Sequence, residues 1–422
     1  YLNSHLTAND YYCENEHVAG AWMGKGAERL ALSGKSIGKE DEAFENLRRN
    51  LLPDGSGRLT PRRVESSVRF FDFQCAPHKS VSIMAVALDD QRLYEAHDAA
   101  AAKAFAELER FAAYRSGRSR QPQITGNLCA AAFRHDASRS LDPQLHTHFV
   151  VANCTWDSDR KRWLALETCE MFKAIRYAGK FYQNELALQC RRLGYEIQPV
   201  RNEKGGVEGF EIKGVSNEVQ ERFSKRRAEV EAGIERFIKD KGRQPTTSEI
   251  HTIARDTRGI KLKEITTPEV RAMQRAQLSD SELSALEGIK KVALANAHEN
   301  AGMGSAWKAL MRACNHIFER HSVVPGHKLL AETLNQRLGY LDSTALARYM
   351  QSASNGLVRL ARHMRNPLLS CQWTSRQGLS HERWSIQFVN QTQNCCAPLG
   401  KTDGVEFDFK SNEQKHVVLE TL

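Results

Sequence analysis

Three of the fifteen histidines are spaced so that they could act together. His146 and His148 flank Thr147 at the start of a β-rich run over 145–156, and residues two apart in a strand project from the same face. His135 ends the preceding β-rich run, 124–135, and the polar stretch 136–144 between the runs reads as the long loop of a hairpin. Such a hairpin folds His135 back opposite the other two. Three neutral imidazoles converging on one point make a metal site with open positions, the arrangement Lewis-acid chemistry needs. The H-x-H pair alone is a weak signal, and the third histidine makes it specific. The ten cysteines contain no C-x-x-C pair, which argues against a zinc ribbon or thioredoxin-type centre and for reduced thiols.

The elements that must position these rings are legible in outline. Residues 70–75 are apolar and aromatic enough for a strand ending near Pro77, and 81–86 reads as a second strand. Residues 89–114 carry Leu93, Ala96, Ala100, Phe105, Leu108 and Phe111 at helical spacing, and 166–193 is again helical. Two further strands, 195–200 and 208–213, surround the Gly205-Gly206 turn. Upstream, 10–34 reads as helix, loop and a short helix over 27–32, and Pro53-Asp54-Gly55-Ser56-Gly57 is a turn. Strands and long helices mix without a βαβ rhythm, so the fold class is α+β, an antiparallel-rich sheet flanked by helices. From 217 to 241 the chain is charged with one apolar face and ends at Gly242; Thr246 with Glu249 forms a capping box for another helix. Beyond 300 the pattern stays helical to about 364 and is irregular from 366 to 408.

Composition bounds the function classes. At 422 residues and 47.7 kDa the chain suits two or three domains, and 41 % hydrophobic with 26 % charged residues is ordinary for a folded soluble chain. No apolar run is long enough to span a membrane and no leader pattern opens the chain, so it reads as intracellular. Sixty Lys and Arg against 51 Asp and Glu leave +9, which suits a polyanionic partner. Arg110, Arg115, Arg118, Arg120 and Arg134 fall in one stretch that contains no acid. The chain opens at Tyr1-Leu2 and stops at Leu422 within a helical pattern, so it reads as a piece of a longer protein.

The three-histidine frame resembles the MobF-type conjugative relaxases, the TrwC/TraI-like branch of the HUH endonucleases. Trp22-Met23-Gly24-Lys25-Gly26-Ala27-Glu28, Phe71-Asp72-Phe73 followed by Pro77-His78-Lys79-Ser80-Val81-Ser82, and Phe223-Ser224-Lys225-Arg226-Arg227 resemble that family's segments in the family's order. The resemblance implies site- and strand-specific nicking of DNA by a tyrosine, giving a 5′-phosphotyrosyl link and a free 3′-hydroxyl. It implies a divalent ion (Mg, Mn or Zn) on His135, His146 and His148. Single-stranded DNA at an origin-of-transfer nick site is the implied partner, with relaxosome accessory proteins and a coupling protein in the bacterial cytoplasm.

By the same resemblance, Tyr1 falls where the first nucleophilic tyrosine lies and Tyr11-Tyr12 match the second pair, at a somewhat longer spacing. Asp72 matches the aspartate that orients a metal histidine or accepts the tyrosyl proton. An aspartate in an aromatic strand is costly to bury without a partner, and a metal-bound histidine would be one. His78 stands where the family has proline or a small residue, so it reads as a surface variation and not a fourth ligand. Arg115, Arg118 and Arg120 on a flexible loop suit backbone phosphates, and Lys79 and Arg139 suit either phosphate or solvent. The implied organisation is a relaxase domain over 1–290, its residues 215–290 a helical clamp over DNA, a helical connector over 291–405, and the start of a truncated helicase over 406–422.

Gly400-Lys401-Thr402 imitates a phosphate loop, but Cys395 stands where that motif needs glycine, and Asn412-Glu413-Gln414-Lys415-His416-Val417-Val418, which resembles the helicase opening, comes after it. No ATPase is expected of this stretch. Two other readings remain open at the level of sequence: an inactive single-stranded DNA-binding remnant that keeps the metal site, and a structural metal site or metallohydrolase unrelated to DNA.

Overall fold

The computed structural model describes residues 20–395, apart from 39, 62–66, 118–120, 139, 204, 258–265, 299–302, 353–355, 361–370 and 394. In chain order the first part runs β1 (Gly20–Met23), α1 (Lys25–Arg29), β2 (Ser36–Ile37), α2 (Glu42–Arg48), β3 (Phe70–Cys75), α3 (Lys79–Val86) and α4 (Gln91–Glu109). A hairpin of β4 (Ala113–Ser116) and β5 (Gln121–Ile124) follows, then β6 (Ala130–Ala137), β7 (Pro143–Ala152), a small hairpin of β8 (Thr155–Asp157) and β9 (Arg162–Leu164), α5 (Cys169–Arg192), and a hairpin of β10 (Ile197–Arg201) and β11 (Val207–Ile212). The central sheet has the order β2-β1-β6-β7-β3, antiparallel throughout.

Strand alternation sorts the sheet into two faces with two cores. Leu145, Phe149 and Val151 of β7 join Phe73 and the inner sides of α4 and α5, with Phe105 stacked on Phe149 at 4.8 Å. Val150 and Ala152 face the other way, into a smaller core of Trp22, Phe44, Phe70 and Phe133, where Phe44 of α2 stacks on Phe70 at 4.8 Å. The side chains of His146 and His148 share the parity of this smaller core but lie beyond it along the strand.

Several expectations change. Residues 81–86 are helical, not a strand: Ser80 to Val86 are all buried, and a helix enclosed on every side shows no amphipathic period, so its valines and isoleucine imitate a buried strand. The two serines on it accept hydrogen bonds from strand amides, Ser80 Oγ from Ile212 at 2.9 Å and Ser82 Oγ from Leu145 at 3.1 Å. Residues 20–23 form a strand where helix and loop were expected, because pairing with β6 (Ala21 opposite Ala132) overrides a weak local signal. The run 124–135 divides, its start closing the β4–β5 hairpin, so Arg115 sits in a strand and not on a flexible loop. The hairpin holding the histidines turns over a short connection, 138–142.

The charged region is α6 (Asn217–Arg222), α7 (Lys225–Lys241), α8 (Thr247–Asp256), α9 (Thr267–Arg275) and α10 (Asp280–Ala295), with Gly242 closing α7 and the Thr246/Glu249 capping box in place. Beyond it come α11 (Ala306–Phe318), β12 (Val324–Pro325), α12 (Gly326–Gln336), α13 (Ser343–Gln351), β13 (Leu357–Leu360), β14 (Gln372–Ser375) and α14 (Arg376–Thr392). The expected continuous helical run and irregular tail therefore contain a three-stranded sheet and a further helix. Strand partners almost fifty residues apart, Val324 opposite Trp373, leave no local period to read. Among the described residues, no helix is long and apolar enough to cross a membrane.

Candidate active site

The hairpin places His135 directly opposite His146, with His148 one step along the same face. The three ring centroids form a near-equilateral triangle with sides of 5.2, 5.5 and 5.1 Å. Two imidazoles bound at about 2.1 Å to one tetrahedral ion have centroids roughly 5 Å apart, so the spacing suits a shared ion. Among the described residues no three His, Cys, Asp or Glu side chains already form a ready ligand group. A shared ion would therefore require the ring nitrogens to turn inward.

The second contacts of two rings favour ligation. His146 Nδ1 donates to the Gln144 carbonyl at 2.8 Å, and His148 Nδ1 donates to both oxygens of Asp72, at 2.8 and 3.0 Å. With the proton held on Nδ1, the neutral ring has its lone pair on Nε2. Burial, opposed by the Gln144 bond, pushes His146 down to about 4, so this ring is neutral at pH 7. Asp72 reaches His148 because it lies one register step away on β3, where Gln74 is opposite His148. The partner expected for Asp72 is thus present, although the carboxylate is accessible and not buried.

The hairpin is held from behind and from its tip. Thr147, between the two ligand candidates, points to the opposite face, where His97 Nε2 meets its hydroxyl at 2.8 Å and His97 Nδ1 meets Tyr182 at 2.7 Å. At the tip, Asp142 is buried and accepts from the Lys225 backbone N–H at 2.9 Å, with the Lys225 ammonium 3.3 Å away. Gln274 of α9 donates to the Leu141 carbonyl at 2.8 Å, and Arg271 reaches Asp136, beside His135, at 3.4 Å. The charged helices therefore fasten onto the same hairpin that carries the histidines. No local sequence signal announces these long-range ties.

The other candidates fall elsewhere. Lys79 is half-buried and engaged: its ammonium donates to the Pro143 carbonyl at 2.9 Å, and burial, opposed by Asp142, lowers it to about 8. His78 is half-buried rather than a surface variation, because its ring accepts from the Ser80 N–H and caps α3. Arg115, on the β4–β5 hairpin, pairs with Glu167, which lies between β9 and α5. That hairpin leaves α4 near the Ala130 end of β6, and His135 lies five residues, roughly 17 Å, further along. Tyr1, Tyr11, Tyr12, Arg118, Arg120 and Arg139 lie outside the described residues, as do Gly400 to Thr402 and Asn412 to Val418.

The Trp22-to-Glu28 segment proves to be a docking device. Glu109, buried at the end of α4, accepts from the backbone N–H of Lys25 at 2.8 Å and of Leu128 at 2.9 Å, while Gly26 donates to the Leu128 carbonyl at 2.8 Å. A Cβ on Gly26 would lie 2.6 Å from the Leu128 carbonyl carbon, and Gly24 has φ +95° with Leu128 equally close, so both glycines are required by backbone contact.

A family model described as TrwC relaxase matches residues 1–281. The chain belongs to the TrwC relaxase family. The multifunctional conjugation protein TraI of Escherichia coli is 35 % identical over 283 residues, covering 63 % of this chain and 15 % of TraI. TraI of strain K12 is 36 % identical over 212 residues. The chain thus spans 15 % and 12 % of the length of these two curated relatives. Among solved structures, the relaxase TrwC in complex with OriT DNA in a metal-free form is 32 % identical, with a TM-score of 0.55 over 66 % of this chain and 94 % of that one. A metal-bound form of that complex gives 0.55 at 29 % identity, covering 67 % and 93 %. The TrwC fold, an antiparallel sheet flanked by helices, is the fold of this chain, and the relaxase match ends before α11.

Proposed function

We propose that this chain nicks one strand of DNA at a specific site and transfers it, as part of the mobilisation of a conjugative plasmid or element. The observation that carries the reading is the triangle of His135, His146 and His148, with Asp72 behind His148, in a chain of the TrwC relaxase family. The solved TrwC relatives are described as bound to OriT DNA, and some as metal-bound. A divalent ion held by the three histidines would neutralise the scissile phosphate as a Lewis acid.

The protein's own residues do the rest. A tyrosine oxygen, from Tyr1 or from Tyr11 and Tyr12, attacks phosphorus; the new bond is O–P, the bond broken is P–O3′, and the departing 3′-oxygen takes up a proton. A phenol with an ordinary pKa of about 10 must lose its own proton as it attacks. Asp72 already spends both oxygens on His148, which favours an orienting role over that of base. The helices over 215–290 cover the bound strand, anchored at the hairpin tip. Arg118, Arg120 and Arg139 are assigned to phosphates on sequence grounds, while Arg115 and Lys79 would have to give up Glu167 and Pro143 to join them.

The test is a single-stranded oligonucleotide containing the cognate nick site, incubated with the chain and manganese or magnesium. A covalent protein–DNA band that disappears in Tyr1→Phe or in Tyr11→Phe/Tyr12→Phe supports the reading. Binding without a covalent band in the unaltered chain would identify an inactive remnant instead.

A further inference from the structure

The segment beyond the relaxase match has a topology of its own. Its order is helix, strand, helix, helix, strand, strand: α11, β12, α12, α13, β13, β14. The sheet order is β12-β14-β13, antiparallel, so the short first strand pairs with the last and the last two form a hairpin. That connection is the winged helix-turn-helix, in which the helix after the turn enters a groove of duplex DNA and the hairpin is the wing. Its core is complete: Leu310, Leu330, Leu334, Leu346, Met350 and Trp373 are buried.

Fold alone does not establish function, but the charge of the segment and its placement on one helix face indicate a polyanion. Residues 305–392 contain eleven Lys and Arg against four Asp and Glu, so 88 of 422 residues carry +7 of the net +9. The helix in the recognition position, α13, buries Ser343, Leu346 and Met350 and exposes Thr344, Arg348, Tyr349 and Gln351, with no acidic residue along its length. Asp342, just before it, is occupied as the cap, accepting from Thr344 and Ala345.

The module is hydrogen-bonded to the preceding domain. Asn184 of α5 donates to the Leu341 carbonyl at 2.9 Å and accepts from the Gly339 N–H at 3.0 Å, so the turn between α12 and α13 sits on the relaxase domain. Gly339, at φ +77°, admits this contact, since a Cβ there would lie 2.7 Å from that of Ala187. The anchored surface is α12, the turn and the buried start of α13, where Ser343 donates to Glu185 of α5, while Thr344, Arg348, Tyr349 and Gln351 stay exposed.

We propose that α11 to β14 form a second DNA-binding module that takes duplex DNA, with the outer face of α13 as its contact surface. The relaxase domain would act on one strand while this module holds neighbouring duplex. The test is fluorescence anisotropy of the full chain with a labelled duplex of about two helical turns that contains no nick site. Arg348→Glu with Gln351→Glu should weaken duplex binding about tenfold and lower the slope of log affinity against log salt by about one. Arg348→Lys, which keeps the charge, should retain binding, and an unchanged thermal midpoint shows that each variant is folded. Equal duplex binding by the unaltered chain and the double variant would overturn the proposal, as would absence of salt-dependent duplex binding by the unaltered chain.

Discussion

At the scale of single residues, the site is governed by which nitrogen of each ring carries the proton. Asp72 fixes that choice at His148 and the Gln144 carbonyl fixes it at His146. Removing a carboxylate that orients a metal-bound imidazole typically costs 10- to 100-fold in affinity. Asp72→Asn should therefore weaken manganese binding by about that factor in calorimetric titration, with little change in thermal midpoint because the carboxylate is accessible. An unchanged affinity would remove Asp72 from the site. Gly26 belongs to the same scale. Gly26→Ala forces a Cβ against the Leu128 carbonyl and should destabilise the fold by about 1–3 kcal/mol in urea denaturation. The motif that relates the chain to its family at this point is a packing motif, read correctly as a likeness and explained only by contact with Glu109.

At the scale of elements, the hairpin of β6 and β7 is the unit on which everything converges. Its registry was legible: an H-x-H at a strand start, with a third histidine ending the strand before it, leaves few ways to fold. What holds it was not, because His97, Thr147 and Tyr182 are far apart in sequence and each alone looks like an ordinary core residue. His97 is buried, and desolvation lowers it from the usual 6.5 to about 3. Above pH 6.5 the ring is neutral both folded and unfolded; below it, the unfolded chain gains a proton that the folded chain refuses. Stability present above pH 6.5 is thus lost as the pH falls from 6.5 toward 3, by about 3–5 kcal/mol at the acid end. The thermal midpoint should fall on acidification over this window, and His97→Gln should flatten that fall while lowering the midpoint at pH 7. Parallel pH profiles for the two proteins would disprove this assignment. The strand-like sequence of α3 has a similar cause: a short helix buried on all sides carries no periodicity.

At the scale of the whole molecule, the charged helices, the histidine hairpin and the basic C-terminal module are joined by ties that cross long stretches of sequence. The sheet and its two cores stand on apolar packing, so chelation should abolish covalent attachment to DNA without unfolding the chain. A ligand that binds only the folded state at a hundred times its dissociation constant adds about 2.7 kcal/mol. Saturating manganese should therefore raise the thermal midpoint, and His135→Ala/His146→Ala/His148→Ala should lose that increase. A midpoint that rises equally in the triple variant would place the ion elsewhere.

The sequence by itself determined the fold class, the long helices α4 and α5, the capping box on α8 and the histidine frame. Each depends on a period or spacing within a few turns of chain, which short-range sterics and hydrogen bonding enforce. The tertiary structure alone decided that 81–86 is a helix, that Lys79 serves Pro143, that Glu109 anchors the Gly24-Lys25-Gly26 backbone, and that the segment after the relaxase match contains a three-stranded antiparallel sheet. Those outcomes depend on partners far along the chain, Lys79 with Pro143, Glu109 with Lys25 and Val324 with Trp373. Burial and pairing energies of that kind exist only once the chain has folded.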